Sequence, residues 1–140
     1  MTDTPKHSVS VAGIIIDAQD RVLVIRRRDN NKWEPPGGVL ELNETFDEGV
    51  RREVLEETGV TVTVDRLTGV YKNMNRGIVA LVFRCSADHL NAVITSESAE
   101  VRWMSRAEVE EAMDAAYAVR VLDAFADDVR TRAHDGVGLA

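Results

Sequence analysis

The stretch from Gly38 to Val60, GVLELNETFDEGVRREVLEETGV, constrains the fold of this chain more than any other. Thr45 can cap a helix N-terminus, and Glu48 three residues later completes a capping box. Gly59 stands where a helix closes on a left-handed residue. Between them the chain has room for a helix of about three to four turns. Phe46, Val50 and Val54 recur at i, i+4 and i+8 and give that helix a stripe to bury. Glu53, Glu56 and Glu57 recur at i, i+3 and i+4, so three carboxylates share one face.

Like charges at this spacing repel by roughly a few tenths of a kcal/mol per pair when exposed, and by more in a cleft. A solvated acidic face is the ordinary reading of a glutamate-rich helix. Its neighbours argue for a cation instead: a Pro35-Pro36-Gly37-Gly38 turn precedes the helix, and Arg52 stands among the acids. Oxygen-only ligands suit a hard ion, Mg²⁺ or Mn²⁺, better than zinc. The Pro-Pro-Gly-Gly turn forbids regular helix and lets the backbone approach another group closely, which makes Gly38 a candidate substrate contact. Gly49 inside the helix costs about 1 kcal/mol relative to alanine, so something is expected to pack closely there.

The segment resembles the Nudix box, G-x5-E-x7-R-E-U-x-E-E-x-G-U with U aliphatic, at every defined position. Those positions are Gly38, Glu44, Arg52, Glu53, Val54, Glu56, Glu57, Gly59 and Val60, and their fixed spacing makes the signal specific. Trp33-Glu34-Pro35-Pro36-Gly37 is similar to the family's usual lead-in. The box spans 23 of 140 residues, and the flanking strand pattern extends the likeness over most of the chain.

The resemblance implies a hydrolase that cleaves the diphosphate linkage of a nucleoside diphosphate joined to another group, with Mg²⁺ or Mn²⁺ on the diphosphate. Anionic phosphate repels hydroxide, so such catalysis is mostly charge neutralisation and water activation. Matched position by position, Glu56 and Glu57 are implied as principal metal ligands. Glu53 is implied as a further ligand or the water-activating base, and the Gly37 carbonyl as a ligand that is not a carboxylate. Arg52 orients the acids, because a bidentate guanidinium fixes carboxylate geometry. Glu44, just before the N-cap, is either structural or a supporting neighbour of the site. The family often adds a glutamate in a loop before a Trp-containing strand, and Ser96 to Trp103 offers two, Glu97 and Glu100. Glu97 has the loop position.

The rest of the chain reads as one domain over residues 1–140, long enough for a core without staples. Ser8–Ile16 and Val22–Ile25 read as a hairpin around the turn Asp17-Ala18-Gln19-Asp20. The loop that follows holds Arg26, Arg27 and Arg28, which either solubilise a strand end or meet substrate phosphates; Arg26 and Arg28 are the candidates. Val39–Leu42 is a short extended piece. Val60–Val64, Leu67–Lys72 and Ile78–Cys85 read as strands, with a turn over 73–77 and a last strand over Val101–Met104. Ser105 and Glu108 make a second capping box for a helix to about Ala116. A further helix carries Val119, Leu122, Phe125 and Val129 on its apolar side. The ends, residues 1–7 and 134–140, lack periodicity and should fray. This order predicts a mixed sheet covered on both faces, an α/β/α sandwich, which is also the fold the resemblance implies.

A net charge of −7 leaves no basic surface for duplex nucleic acid, although it permits a small phosphate ester that arrives with a divalent cation. No stretch is long enough to span a bilayer, and the flanks of Val9–Ile16 do not read as a signal peptide. A single Cys85 in an apolar strand fits a reducing compartment, so the expectation is a cytoplasmic protein. A homodimer is an expectation from the family alone. Trp33 and Trp103 either stack a base or pack. His7, His89 and His134 fall in no motif.

Among substrates, the ADP-ribose hydrolases of the family resemble one another in a proline some fifteen residues after the box. This chain has none between 72 and 76. Nucleoside triphosphate pyrophosphohydrolases are the nearer likeness. ADP-ribose or another nucleotide sugar, and a sensing module without turnover, stay open as alternatives.

Overall fold

The computed structural model describes residues 3–140. Strand β1 (Ser8–Ile15) lies inside a five-stranded mixed sheet. Its neighbours are β4 (Gly37–Val39), antiparallel, and β6 (Ile78–Ala87), parallel. Beyond β6 come β5 (Val62–Asn73), antiparallel, and β8 (Arg130–His134), parallel to β5. A second, antiparallel sheet has the order β3 (Trp33–Glu34), β2 (Val22–Arg26), β7 (Glu100–Met104). Helix α1 (Phe46–Thr58) covers one apolar face, and α2 (Arg106–Ala112) with α3 (Ala115–Asp123) covers the other. Alternation in β1 serves both layers: Val11 and Ile15 pack with α1, Ala12 and Ile14 with α2 and α3. The arrangement is the expected α/β/α sandwich.

The hairpin expected of β1 and β2 does not form. Only the bridge Ile16–Val22 joins them, because β4 and β6 already occupy both edges of β1. The strands expected over 60–64 and 67–72 are one, β5, bent by register shifts at Val64/Arg66 and Leu67/Gly69. Extended backbone starts at Gly37 rather than Val39.

The second capping box is present, but its helix ends at Ala112 instead of Ala116, and α3 starts afresh. Asp114 precedes α3 without a side-chain cap, since its carboxylate takes the Lys32 ammonium at 2.6 Å. The apolar side of α3 is also displaced from its expected residues. Ala116, Val121 and Ala124 are buried, Val119 and Phe125 only partly, and Val129 is 50% exposed outside the helix. On α1, Val50 and Val54 are buried as expected, whereas Phe46 stays 47% exposed beside Phe83.

The frayed tail is also overturned. β8 pairs with β5 from Gly69–Arg130 to Asn73–His134, and the Ala140 N–H donates to the Ala133 carbonyl. Parallel pairing between distant segments leaves no local periodicity to read. At the other end, residues 3–7 are exposed and without regular structure, and the first two residues of that expected tail lie outside the described range.

A buried polar cluster ties α3 to the sheet. Asp123 receives the Tyr71 hydroxyl at 2.8 Å and both Nε and Nη2 of Arg132 at 2.8 Å. Burial opposes its charge, but the Arg132 and Tyr71 hydrogen bonds outweigh it and hold the carboxyl below its ordinary range. A carboxyl depressed in the folded state contributes stability above its unfolded pKa of about 3.9 and loses it as pH falls. Asp123→Asn should therefore destabilise the protein by about 1–3 kcal/mol near neutral pH. Urea unfolding at neutral pH and at about pH 3.5 should show that difference shrinking on acidification. A difference constant with pH would mean that charge is not what holds the cluster.

Candidate active site

The first helix forms as its caps require. The Thr45 hydroxyl accepts from Glu48 N, Glu48 returns the bond to Thr45 N, and Gly59 closes the helix in the left-handed region at φ 74°. Gly49 is explained by crowding, since a Cβ there would lie 2.6 Å from Leu40 Cδ1 and 3.1 Å from Glu44 Oε1. The helix delivers its acids to strand β4. Gly37 N donates to Glu57 Oε1 at 3.0 Å, and Gly38 packs on the Glu53 carboxylate.

Glu57 is 5% exposed, and its carboxyl lies within hydrogen-bonding reach of Glu53. Burial first, and the neighbouring Glu53 second, push its proton affinity well above the usual carboxylate range. Glu34 adds to this from the lead-in strand, and is itself partly buried and shifted upward by desolvation. A buried acidic pair of this kind takes up either a proton or a cation.

Arg52 is the organiser. Its Nε and Nη2 clamp Glu44 at 3.0 and 2.6 Å, Nη1 reaches Glu53 at 2.8 Å and Glu56 at 3.4 Å, and Nη2 also holds the Val39 carbonyl at 3.2 Å. Glu44 is thereby brought to the network, and the Arg52 hydrogen bonds lower its pKa to about 2. Among the described residues no three His, Cys, Asp or Glu side chains already converge as a cage, because Arg52 takes Glu53 and Glu56. The donor set nevertheless fits a hard divalent ion: all oxygen, with a buried pair whose charge Arg52 offsets only in part.

Glu97 and Glu100 part company. Glu100 pairs with Arg102 at 2.6 Å and Arg26 at 3.5 Å, and the Arg102 bond lowers its pKa. Glu97 makes no ion pair among the described residues. Its loop is fastened to the end of α1 by the Thr95 hydroxyl on the Glu56 carbonyl and the Ser98 hydroxyl on the Glu57 carbonyl.

A cleft of about 580 Å³ opens against Gly37 and Gly38, the size of a small-ligand site. Arg27, Lys32 and Arg76 are among its cations, and Trp33 and Tyr117 among its aromatics. The expected arginines are not there. Arg26 bonds Asn31 and Glu100, and Arg28 fastens the carbonyls of Thr95 and Ser96. Arg27 lines the cleft instead, because β2 ends at Arg26 and the turn directs its side chain to Asp29, at 2.6 and 2.8 Å, and to Glu34 at 3.2 Å. Trp103 packs in the α1 core, whereas Trp33 borders the cleft under the Arg102 guanidinium. Asn73, Arg120 and His134 also reach it, and no motif pointed to them.

Gly38→Ala offers a local test. Its Cβ would lie 2.6–2.8 Å from the end of the Glu53 side chain, so Glu53 moves while the backbone stays. We expect about a tenfold or greater loss of kcat/KM with little change in unfolding temperature. In Gly37→Ala the Cβ meets the Val11 and Ala12 backbone, and the fold itself should suffer. Activity equal to the parent in Gly38→Ala would remove Glu53 from the working site.

A mixed sheet between helices, with helix glutamates held by an arginine beside a nucleotide-sized cleft, is the architecture of Nudix hydrolases. The family model for the NUDIX domain matches residues 6–125, and the chain belongs to that family as a Nudix hydrolase. It is 55% identical over 136 residues to a MutT-like protein of Streptomyces ambofaciens, covering 96% of this chain and 88% of the relative. It is 37% identical over 83 residues to an ADP-ribose pyrophosphatase of Methanocaldococcus jannaschii, covering 54% of this chain and about half (48%) of that relative. Among solved structures, a NUDIX hydrolase of Nitrosomonas europaea superposes with a TM-score of 0.78 at 24% identity, covering 94% of this chain and 82% of that one. No helix among the described residues is long and apolar enough to cross a membrane.

Proposed function

We propose that the chain is a nucleoside or deoxynucleoside triphosphate pyrophosphohydrolase that releases a monophosphate and pyrophosphate with Mg²⁺ or Mn²⁺. The observation that carries this reading is the position of the cleft. It joins the Gly37–Gly38 strand, beside Glu53 and Glu57, to Arg27, Lys32 and Arg76. Glu53, Glu56 and Glu57 would hold the metal, with Glu97 as a further ligand, and the metal supplies charge neutralisation and an acidic water. Arg52 keeps the carboxylates in place, and the Gly37 N–H fixes one oxygen of Glu57. Glu53, held by Arg52, is the acceptor for the proton of the attacking water. Arg27, Lys32 and Arg76 attract the phosphate chain.

The test is a panel of ribo- and deoxynucleoside triphosphates, ADP-ribose, dinucleoside polyphosphates and nucleotide sugars, with products resolved as phosphate, pyrophosphate or monophosphate. Triphosphates should give pyrophosphate, and EDTA should stop the reaction. Turnover of ADP-ribose alone would favour a pyrophosphatase like the archaeal relative, and no turnover with either metal would favour a sensing module.

A further inference from the structure

Three buried side chains at one corner of the cleft are unused by the chemistry above. Arg120 on α3 is 8% exposed. Its guanidinium lies 4.5 Å from the Tyr117 ring centroid and 5.2 Å from that of Tyr71, and its Nε donates to the Ala116 carbonyl at 3.2 Å. No carboxylate bonds it among the described residues. Glu34 acts on it only through space, and burial lowers its pKa. His134 on β8 is 1% exposed, and its Nδ1 accepts the Gly136 N–H at 2.9 Å. Burial and the Arg120 charge disfavour the charged ring, and with Nδ1 accepting from Gly136 the neutral tautomer carries its proton on Nε2. Yet Nε2 faces Arg120 Nη2 at 3.2 Å, donor against donor.

Asn73, the register partner of His134, is 8% exposed. Its Oδ1 already accepts the Asn75 and Arg76 N–H groups at 3.0 and 3.1 Å. Its amide NH₂ has no acceptor among the described residues, and all three side chains line the cleft. The unpaired Asn73 amide is therefore open to solvent rather than sealed in the core, and a ligand in the cleft with adjacent acceptors can take it together with the Arg120 fork.

We propose that Arg120, His134 and Asn73 form the base-specificity subsite, and that it selects a 6-oxopurine through the adjacent acceptors O6 and N7. The inference rests on the reading of the chain as a nucleotide pyrophosphohydrolase. A guanidinium fork matches that edge of guanine or hypoxanthine. Two tyrosine rings and the Ala116 carbonyl hold Arg120 in place before any ligand arrives. Adenine sets an amino donor beside N7, and 8-oxoguanine carries a proton on N7, so each turns a donor toward donors. The subsite therefore favours undamaged guanine and hypoxanthine over the oxidised base.

Calorimetric titration of the full chain in EDTA with GMP, IMP, AMP and 8-oxo-GMP reads the subsite without turnover. GMP and IMP should bind at least about tenfold tighter than the other two. Arg120→Lys and Asn73→Asp should each bring that ratio close to one. Equal affinities in the parent chain, or no binding at millimolar ligand, overturn the proposal without need of a variant. So does a ranking that survives in both variants. Guanosine should compete with GMP. If pyrophosphate displaces guanosine, the corner binds phosphate rather than base, and the proposal falls. Triphosphate hydrolysis without base ranking would remove the subsite and leave the enzymatic reading. Guanine-selective binding with no triphosphate hydrolysed would do the reverse.

Discussion

Glu57→Gln is expected to lower kcat/KM on the hydrolysed nucleotide by at least about a hundredfold, while the unfolding temperature of the metal-free protein holds or rises. Glutamine keeps the shape of the side chain and still accepts the Gly37 N–H. It removes a buried acid whose ionisation burial, Glu53 and Glu34 all oppose, so the metal-free protein no longer bears the cost of protonating it. A residue present for packing alone would show the opposite pattern, with stability lost and activity kept. Melting curves in EDTA and rates in Mg²⁺ on one preparation separate the two. Glu56→Gln should also lower the rate, but with a smaller gain in stability because Glu56 is far more exposed than Glu57. Parental rates in both variants would sink the metal assignment.

Arg52→Ala should lower both quantities together. Its guanidinium is the shared cation of Glu44, Glu53 and Glu56, and it also holds the β4 carbonyl of Val39. Without it the carboxylate of Glu44, before the helix, and those of Glu53 and Glu56, on it, are left without their shared cation, and Glu53 loses the contact that aims it. A loss of about a hundredfold in kcat/KM with a clear fall in unfolding temperature is expected. Arg52→Lys keeps the charge but not the fork. It should recover much of the stability and little of the rate. Full recovery of the rate by lysine would show that charge alone, rather than bidentate geometry, sets the site.

The helix that carries these acids was legible because its determinants are local. Capping oxygens, a closing glycine and a fixed spacing of charge act within a few residues of one another. The same holds for Ser105 and Glu108, whose box forms as read. The misreadings of the fold share one cause, which is competition between distant segments. β2 leaves β1 because β4 and β6 claim both edges of β1. Asp114 interrupts a continuous helix with its carboxylate turned to Lys32, a residue far away in the chain. Arg26 and Arg28 were credible phosphate ligands as part of a basic run. A turn of roughly one residue decides which arginine faces the cleft, and it is Arg27.

By itself, then, the sequence determined the α/β/α class, the acidic helix with its caps, and the hydrolase family, since each depends on short-range pattern and exact spacing. Only the tertiary structure decided which glutamate is buried and which is tied to arginine, as with Glu57 against Glu100. It also turned the unpatterned end of the chain into β8, laid along the open edge of β5. That pairing sets His134 beside Asn73 and against Arg120 in one corner of the cleft. Residues from three separate segments meet there, and hydrogen bonding across such separations has no period that a linear reading can detect.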